Sequence, residues 1–108
     1  VGIWQDALLT ANGGSKLCIK DNCQIAHRVS LKTSTHVIDV AGKCIGGEDN
    51  FRDIIIGEGS WICANAVILP GVHIAKKTLV AAGAVVARDT ETCSLVAGVP
   101  AKLVKKYA

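Results

Sequence analysis

A chain of 108 residues has room for one domain and not for a second core. Half of it is hydrophobic, yet it holds one Phe, one Tyr, two Trp and no Met. That composition does not fill an ordinary globule and suits narrow layers of small and β-branched side chains. The net charge of +3 is not interleaved with aromatic residues, and glycine and charge break every apolar stretch; nucleic-acid binding and membrane insertion are both excluded on this reading.

In chain order, residues 1–18 are irregular. Ile3 and Leu9 are six apart, and the turn-forming ANGGS at 11–15 then breaks the pattern. There is no basic start with a long apolar run, as a signal peptide has. Position 1 is not Met, which leaves room for upstream sequence that is missing or processed. A regular stretch follows. Ile19, Ile25, Leu31 and Val37 recur every sixth residue, with Cys23, Val29 and Thr35 four residues after the first three. The segment from Ile38 to Asp53 has no such period and reads as a loop over about 38–55. The spacing from Val37 to Ile56 is nineteen, one more than three hexads. Beyond it the period runs without a miss through Ile56, Ile62, Ile68, Ile74, Val80 and Val86, paired with Ser60, Ala66, Val72, Thr78, Ala84 and Thr90. A tail over about 98–108 ends the chain.

A period of six is neither helical (3.6) nor that of a simple strand (2.0). It is the mark of a parallel β-helix of hexapeptide repeats. The first and fifth residues of each hexad point inward. The third and fourth make the corner: Asp21-Asn22, Glu58-Gly59, Pro70-Gly71, Lys76-Lys77 and Arg88-Asp89. Three hexads make an eighteen-residue coil, and coils stack at about 4.8 Å. A prism of four or five coils leaves open strand edges at both ends, so an oligomer is expected. Five cysteines, an odd number without a CxxC pair, speak against a disulfide framework and for the reducing cytoplasm.

The run from Ile54 to Lys102 resembles the C-terminal signature of the hexapeptide-repeat acyltransferases. The nearest likenesses are the maltose/galactoside and colanic-acid-type O-acetyltransferases. The resemblance rests on GSWI, ILPGV, AAGAVVARD and AGVPAK, in that order. It implies a left-handed parallel β-helix, a homotrimer with active sites between subunits, acetyl-CoA as donor and no metal.

Acyl transfer from a thioester to a hydroxyl needs a base of near-neutral pKa, and histidine suits that role. His36, in TSTHVID at the mouth of the loop and some two dozen residues ahead of Trp61, matches the family's catalytic histidine. Taken alone it would read as a solvated turn residue. His27 and His73 read as solvated. Asp39 is a candidate to orient the imidazole, and Asn12 is the nearest candidate for an acceptor-side asparagine. Phe51 and Arg52 are candidates to cover the acceptor. The family's coenzyme A lies along small-residue corners, which Ala64, Ala82, Gly83 and Ala87 match, because small side chains let the backbone approach a ligand. Trp61 would pack beside that site. Arg88, Lys102 and Lys105 match positions that meet the nucleotide and its phosphates; a solvated basic tail is the other reading. The expectation is an acetyl-CoA-dependent O-acetyltransferase acting on a sugar or similar small acceptor, with His36 as general base. Two other readings stay open. One is a non-catalytic hexapeptide-repeat scaffold or fragment. The other is a γ-carbonic-anhydrase-like zinc enzyme, which needs three histidines, two of them close in sequence; His27, His36 and His73 lack that pairing.

Overall fold

A computed structural model describes all 108 residues. The first coil carries β1 (Gly2–Ile3), β2 (Leu8–Thr10) and β3 (Leu17–Ile19). The second carries β4 (Gln24–Ile25) and β5 (Ser30–Lys32), throws out a hairpin of β6 (Ser34–Ile38) and β7 (Gly46–Phe51), and closes with β8 (Ile54–Ile56). The third holds β9 (Trp61–Ile62), β10 (Val67–Ile68) and β11 (His73–Ile74). The fourth holds β12 (Leu79–Val80) and β13 (Val85–Val86). The chain ends in β14 (Ser94–Gly98) and β15 (Ala101–Lys106).

These strands stack into three parallel faces. The first face is β1-β4-β9-β12-β14, with β15 added antiparallel; the second is β2-β5-β10-β13; the third is β3-β8-β11. Register follows the sequence period. Trp61 lies beside Leu79 and Val67 beside Val85, eighteen residues apart in each case. The architecture is the left-handed parallel β-helix of hexapeptide repeats, and no element is a helix. The corners have a common geometry. The fourth residue of successive hexads has a left-handed backbone: Asn22, Arg28, Gly59, Asn65, Gly71, Lys77 and Gly83. Glycine and asparagine accept that conformation readily, whereas Arg28 and Lys77 hold it at a cost.

Inside the prism the two inward columns of the sequence pattern form one core. Ile25, Leu31, Ile56, Ile62, Ile68, Ile74, Val80 and Val86 are buried, as are Cys23, Val29, Ala66, Val72 and Ala84. The buried hydroxyls of Ser60 and Thr78 are answered by backbone groups. Ser60 Oγ donates to Ala75 O at 3.0 Å and accepts from Thr78 N, and Thr78 Oγ1 donates to Ala75 O at 2.7 Å. Hydrogen-bonded in this way, small polar residues fill the narrow core without the desolvation penalty of an unpaired group.

The structure corrects the sequence pattern at one place. Val37 and Thr35 are not core residues; Val37 is 49% exposed. The chain leaves the coil at Ser34, and the buried inward positions around the departure are Thr33 and Ile54. β3 pairs directly with β8, Leu17 beside Ile54, at a separation of 37, nineteen more than a plain coil. Ile56 therefore takes the place beneath Ile19 that Val37 would have filled. Residues 34–38 keep an apolar position six after Leu31, but their pairing is with β7 and antiparallel.

Candidate active site

The hairpin stands out from the edge between the second and third faces. Its register sets His36 of β6 opposite Asp49 of β7. His36 Nδ1 lies 3.1 Å from Gly47 O and 3.4 Å from Asp49 Oδ1. A carbonyl oxygen only accepts, so Nδ1 carries the proton and donates it. In the neutral imidazole Nε2 then keeps its lone pair. The Asp39 expectation fails here. Asp39 Oδ1 accepts from Gly42 N at 3.0 Å within the hairpin turn, and the imidazole is held by Gly47 and Asp49 instead.

His36 opens on a polar cavity of about 470 Å³ lined by Asn12, Lys32, Ser34, Thr35, Asp49 and Phe51. Asn12 comes from the ANGG segment of the first coil. Its N–H donates to Thr33 Oγ1 at 3.2 Å, and Ser15 Oγ lies within hydrogen-bond distance of both Asn12 O and Thr33 Oγ1. The Phe51 ring packs against Gly13, whose backbone is left-handed. The two segments that break the hexad pattern thus meet, and the cavity is formed at their junction. Arg52, the other loop candidate for covering the acceptor, is not among the lining residues; its side chain lies over Gly71.

The expected donor residues fall into separate groups. Ala64, Ala82 and Gly83 line the edge between the first and second faces. A ladder of corner hydrogen bonds marks this edge: Arg28 N to Gln5 O, Asn65 N to His27 O and Gly83 N to Ala64 O. Trp4 stacks on His27 at its upper end, with ring centroids 5.8 Å apart. Trp61 is on the adjoining first face, half-exposed and flanked in register by Gln24 and Leu79. Ala87 and Arg88 lie on the other side of the second face, at the edge from which the hairpin leaves. With Pro100, Ala101 and Lys102 they enclose a cavity of about 340 Å³. Lys105 is apart from it, over the Tyr107 ring at 5.2 Å. The structure thus joins Ala87, Arg88 and Lys102, and within one protomer leaves Trp61, Ala64, Ala82 and Gly83 across the second face from them.

His27, His36 and His73 stand on a corner, the hairpin and the third face, and no three His, Cys, Asp or Glu side chains converge as a metal cage. Sequence reading missed Gly47, Asp49, Ser15 and Lys32 as site residues. The GGED segment carries the only sign of the first two, and it becomes informative only once the hairpin register is known.

Residues 53–88 match the family described as bacterial transferase hexapeptide (six repeats). A Saccharomyces cerevisiae protein named as an acetyltransferase is 39% identical over 93 residues, which are 86% of this chain and 47% of the yeast protein. The chain spans about half the length of the curated relatives it matches over most of its own length. Among solved structures, a galactoside acetyltransferase in complex with coenzyme A shares the fold. The TM-score is 0.74 at 22% identity, covering 97% of this chain and 65% of that one. A Vibrio cholerae hexapeptide-repeat acetyltransferase complexed with acetyl-coenzyme A gives a TM-score of 0.73 at 25% identity, over 97% and 60% of the two chains. A three-faced coil of six-residue repeats is the hexapeptide-repeat fold, and residues 53–88 match the transferase family built on it. The chain belongs to the hexapeptide-repeat acyltransferase family, and the maltose and galactoside O-acetyltransferases are among its structural neighbours.

Proposed function

We propose that this chain is an acetyl-CoA-dependent O-acetyltransferase that acts on a hydroxyl of a sugar or similar small acceptor, with His36 as general base. One observation carries the reading: Gly47 O fixes the proton on Nδ1, so that Nε2 is free to accept, beside a cavity of hydroxyl, amide and charged groups. Nε2 takes the acceptor proton while the acceptor oxygen attacks the thioester carbonyl. A backbone N–H stabilises the oxyanion that forms. Collapse breaks the C–S bond, and the imidazolium returns its proton to the departing thiolate. The acetyl group ends on oxygen and the donor leaves as the free thiol, with no acyl-enzyme. Asp49 Oδ1 lies 3.4 Å from Nδ1, beside the imidazolium as it forms.

Names and ligands of the relatives support acetyl-CoA as donor. In this reading Arg88, Lys102 and Lys105 serve its phosphates, and Ala64, Ala82, Gly83 and Ala87 present backbone to its arm beside Trp61. Those positions fall on both edges of the second face, which favours a homotrimer whose grooves join one edge of a protomer to the opposite edge of its neighbour. The five cysteines are all free thiols, in keeping with a cytoplasmic location.

Release of free thiol from acetyl-CoA over a panel of acceptor sugars tests this. His36→Ala is expected to lower turnover by roughly 10²–10⁴-fold, the usual share of a positioned base, with the oligomer intact. Unchanged turnover sinks the assignment, and failure of the wild type to bind acetyl-CoA favours the scaffold reading.

A further inference from the structure

We propose that Lys32 determines acceptor specificity, and that the His36 cavity selects an acceptor bearing a carboxylate close to its reacting hydroxyl, an acidic sugar. The inference rests on the acetyl-transfer reading and names its substrate class. Lys32 is the last residue of β5 before the chain leaves the coil. Its neighbours Leu31 and Thr33 are both fully buried, so strand alternation sends Lys32 outward, onto the cavity that His36 lines.

Of the carboxylates, only Asp49 shares this cavity. Asp49 Oδ1 lies 3.4 Å from His36 Nδ1. Asp53 Oδ1 accepts from Lys16 N at 2.8 Å, and Asp89 Oδ1 accepts from His73 N at 2.9 Å. The charge contacts of the chain are His36–Asp49, ionic only when the imidazole is protonated, and Lys106–Glu91, so Lys32 has no carboxylate partner, although it shares a cavity with Asp49. Lys32 is therefore an uncommitted cation beside His36. Around it stand Asn12, Ser34 and Thr35, suited to sugar hydroxyls, and one aromatic ring, Phe51, suited to the apolar face of a pyranose.

Donor phosphate does not fit this lysine well. In acetyl-CoA the phosphates lie at the far end from the thioester, which must approach His36. Arg88 and Lys102 flank a separate cavity just beyond β13, two strands along the second face from Lys32.

Binding and turnover are measured on wild type, Lys32→Met and Lys32→Arg, with glucuronate and methyl glucoside as acidic and neutral probes. Wild type is expected to bind glucuronate about tenfold more tightly, the worth of one hydrogen bond to a charged group. Lys32→Met should abolish the preference and Lys32→Arg should keep it, with the KM for acetyl-CoA the same in all three. Equal binding of the two sugars by wild type overturns the inference, as does a preference that survives Lys32→Met. A rise in acetyl-CoA KM with acceptor KM unchanged overturns it too, by assigning the lysine to the donor. The binding arm separates the two readings. A charge preference without thiol release supports the role of Lys32 and counts against acetyl transfer; thiol release with equal use of both sugars does the reverse.

Discussion

Replacing Gly13 by alanine probes the junction on which the cavity depends. A Cβ at this position would lie 2.5 Å from Phe51 Cε2 and 2.6 Å from Cγ, about an ångström inside ordinary contact. Two costs follow. The backbone φ of +60° strains any side-chain-bearing residue, by roughly 1–2 kcal/mol. Displacing the ring adds an overpacking cost of typically about 1–3 kcal/mol. The sum is about 2–5 kcal/mol. Only the second part depends on Phe51, so a double-mutant cycle separates them. In a Phe51→Ala background, Gly13→Ala should cost about 1–2 kcal/mol, the backbone share alone. Urea unfolding at matched protomer concentration reads these values, because dissociation is linked to unfolding in an oligomer. The single variant should also raise acceptor KM while leaving acetyl-CoA KM alone, since Phe51 lines the His36 cavity proposed to take the acceptor. An equal cost of Gly13→Ala in both backgrounds would refute the packing argument.

Two further outcomes follow from the coil itself. Lys77 holds a left-handed φ of 56° at a corner where Asn22 and Asn65 occupy equivalent positions. Lys77→Asn should therefore stabilise by about 0.5–1 kcal/mol in urea unfolding, whereas Lys76→Asn, one residue earlier, should bring no gain. Burial raises the Cys63 thiol above its ordinary range, while Cys44 is exposed in the hairpin. Iodoacetamide labelling followed by mass spectrometry should modify Cys44 first and Cys63 only at higher pH, because the reactive thiolate of Cys63 forms later. Equal rates at pH 8 would contradict this.

The hexad columns were legible in the chain because a β-helix is local. Each inward residue is set by the residue six before it, and each coil repeats the last after eighteen. Ile56 to Val86 could thus be placed in the core, and the corner residues on the surface, without coordinates. The same rule misled at Val37, which satisfies the period and yet lies outside the coil. An apolar residue six after Leu31 is compatible with both paths. The choice was made far along the chain, where Ile54 and Ile56 pair with Leu17 and Ile19.

His36 was legible as a candidate because of its place in a resembling motif, but its surroundings were not. Its partners Gly47 and Asp49 arrive through hairpin register, and Asn12 and Phe51 meet across a separation of 39 residues. Asp39, the nearer carboxylate in sequence, turned out to serve the hairpin turn. By itself the sequence determined the scaffold, because repeat geometry is periodic and each step depends on its immediate neighbours. The tertiary structure decided the site, because the two segments that build it break the period and only long-range pairing brings them together.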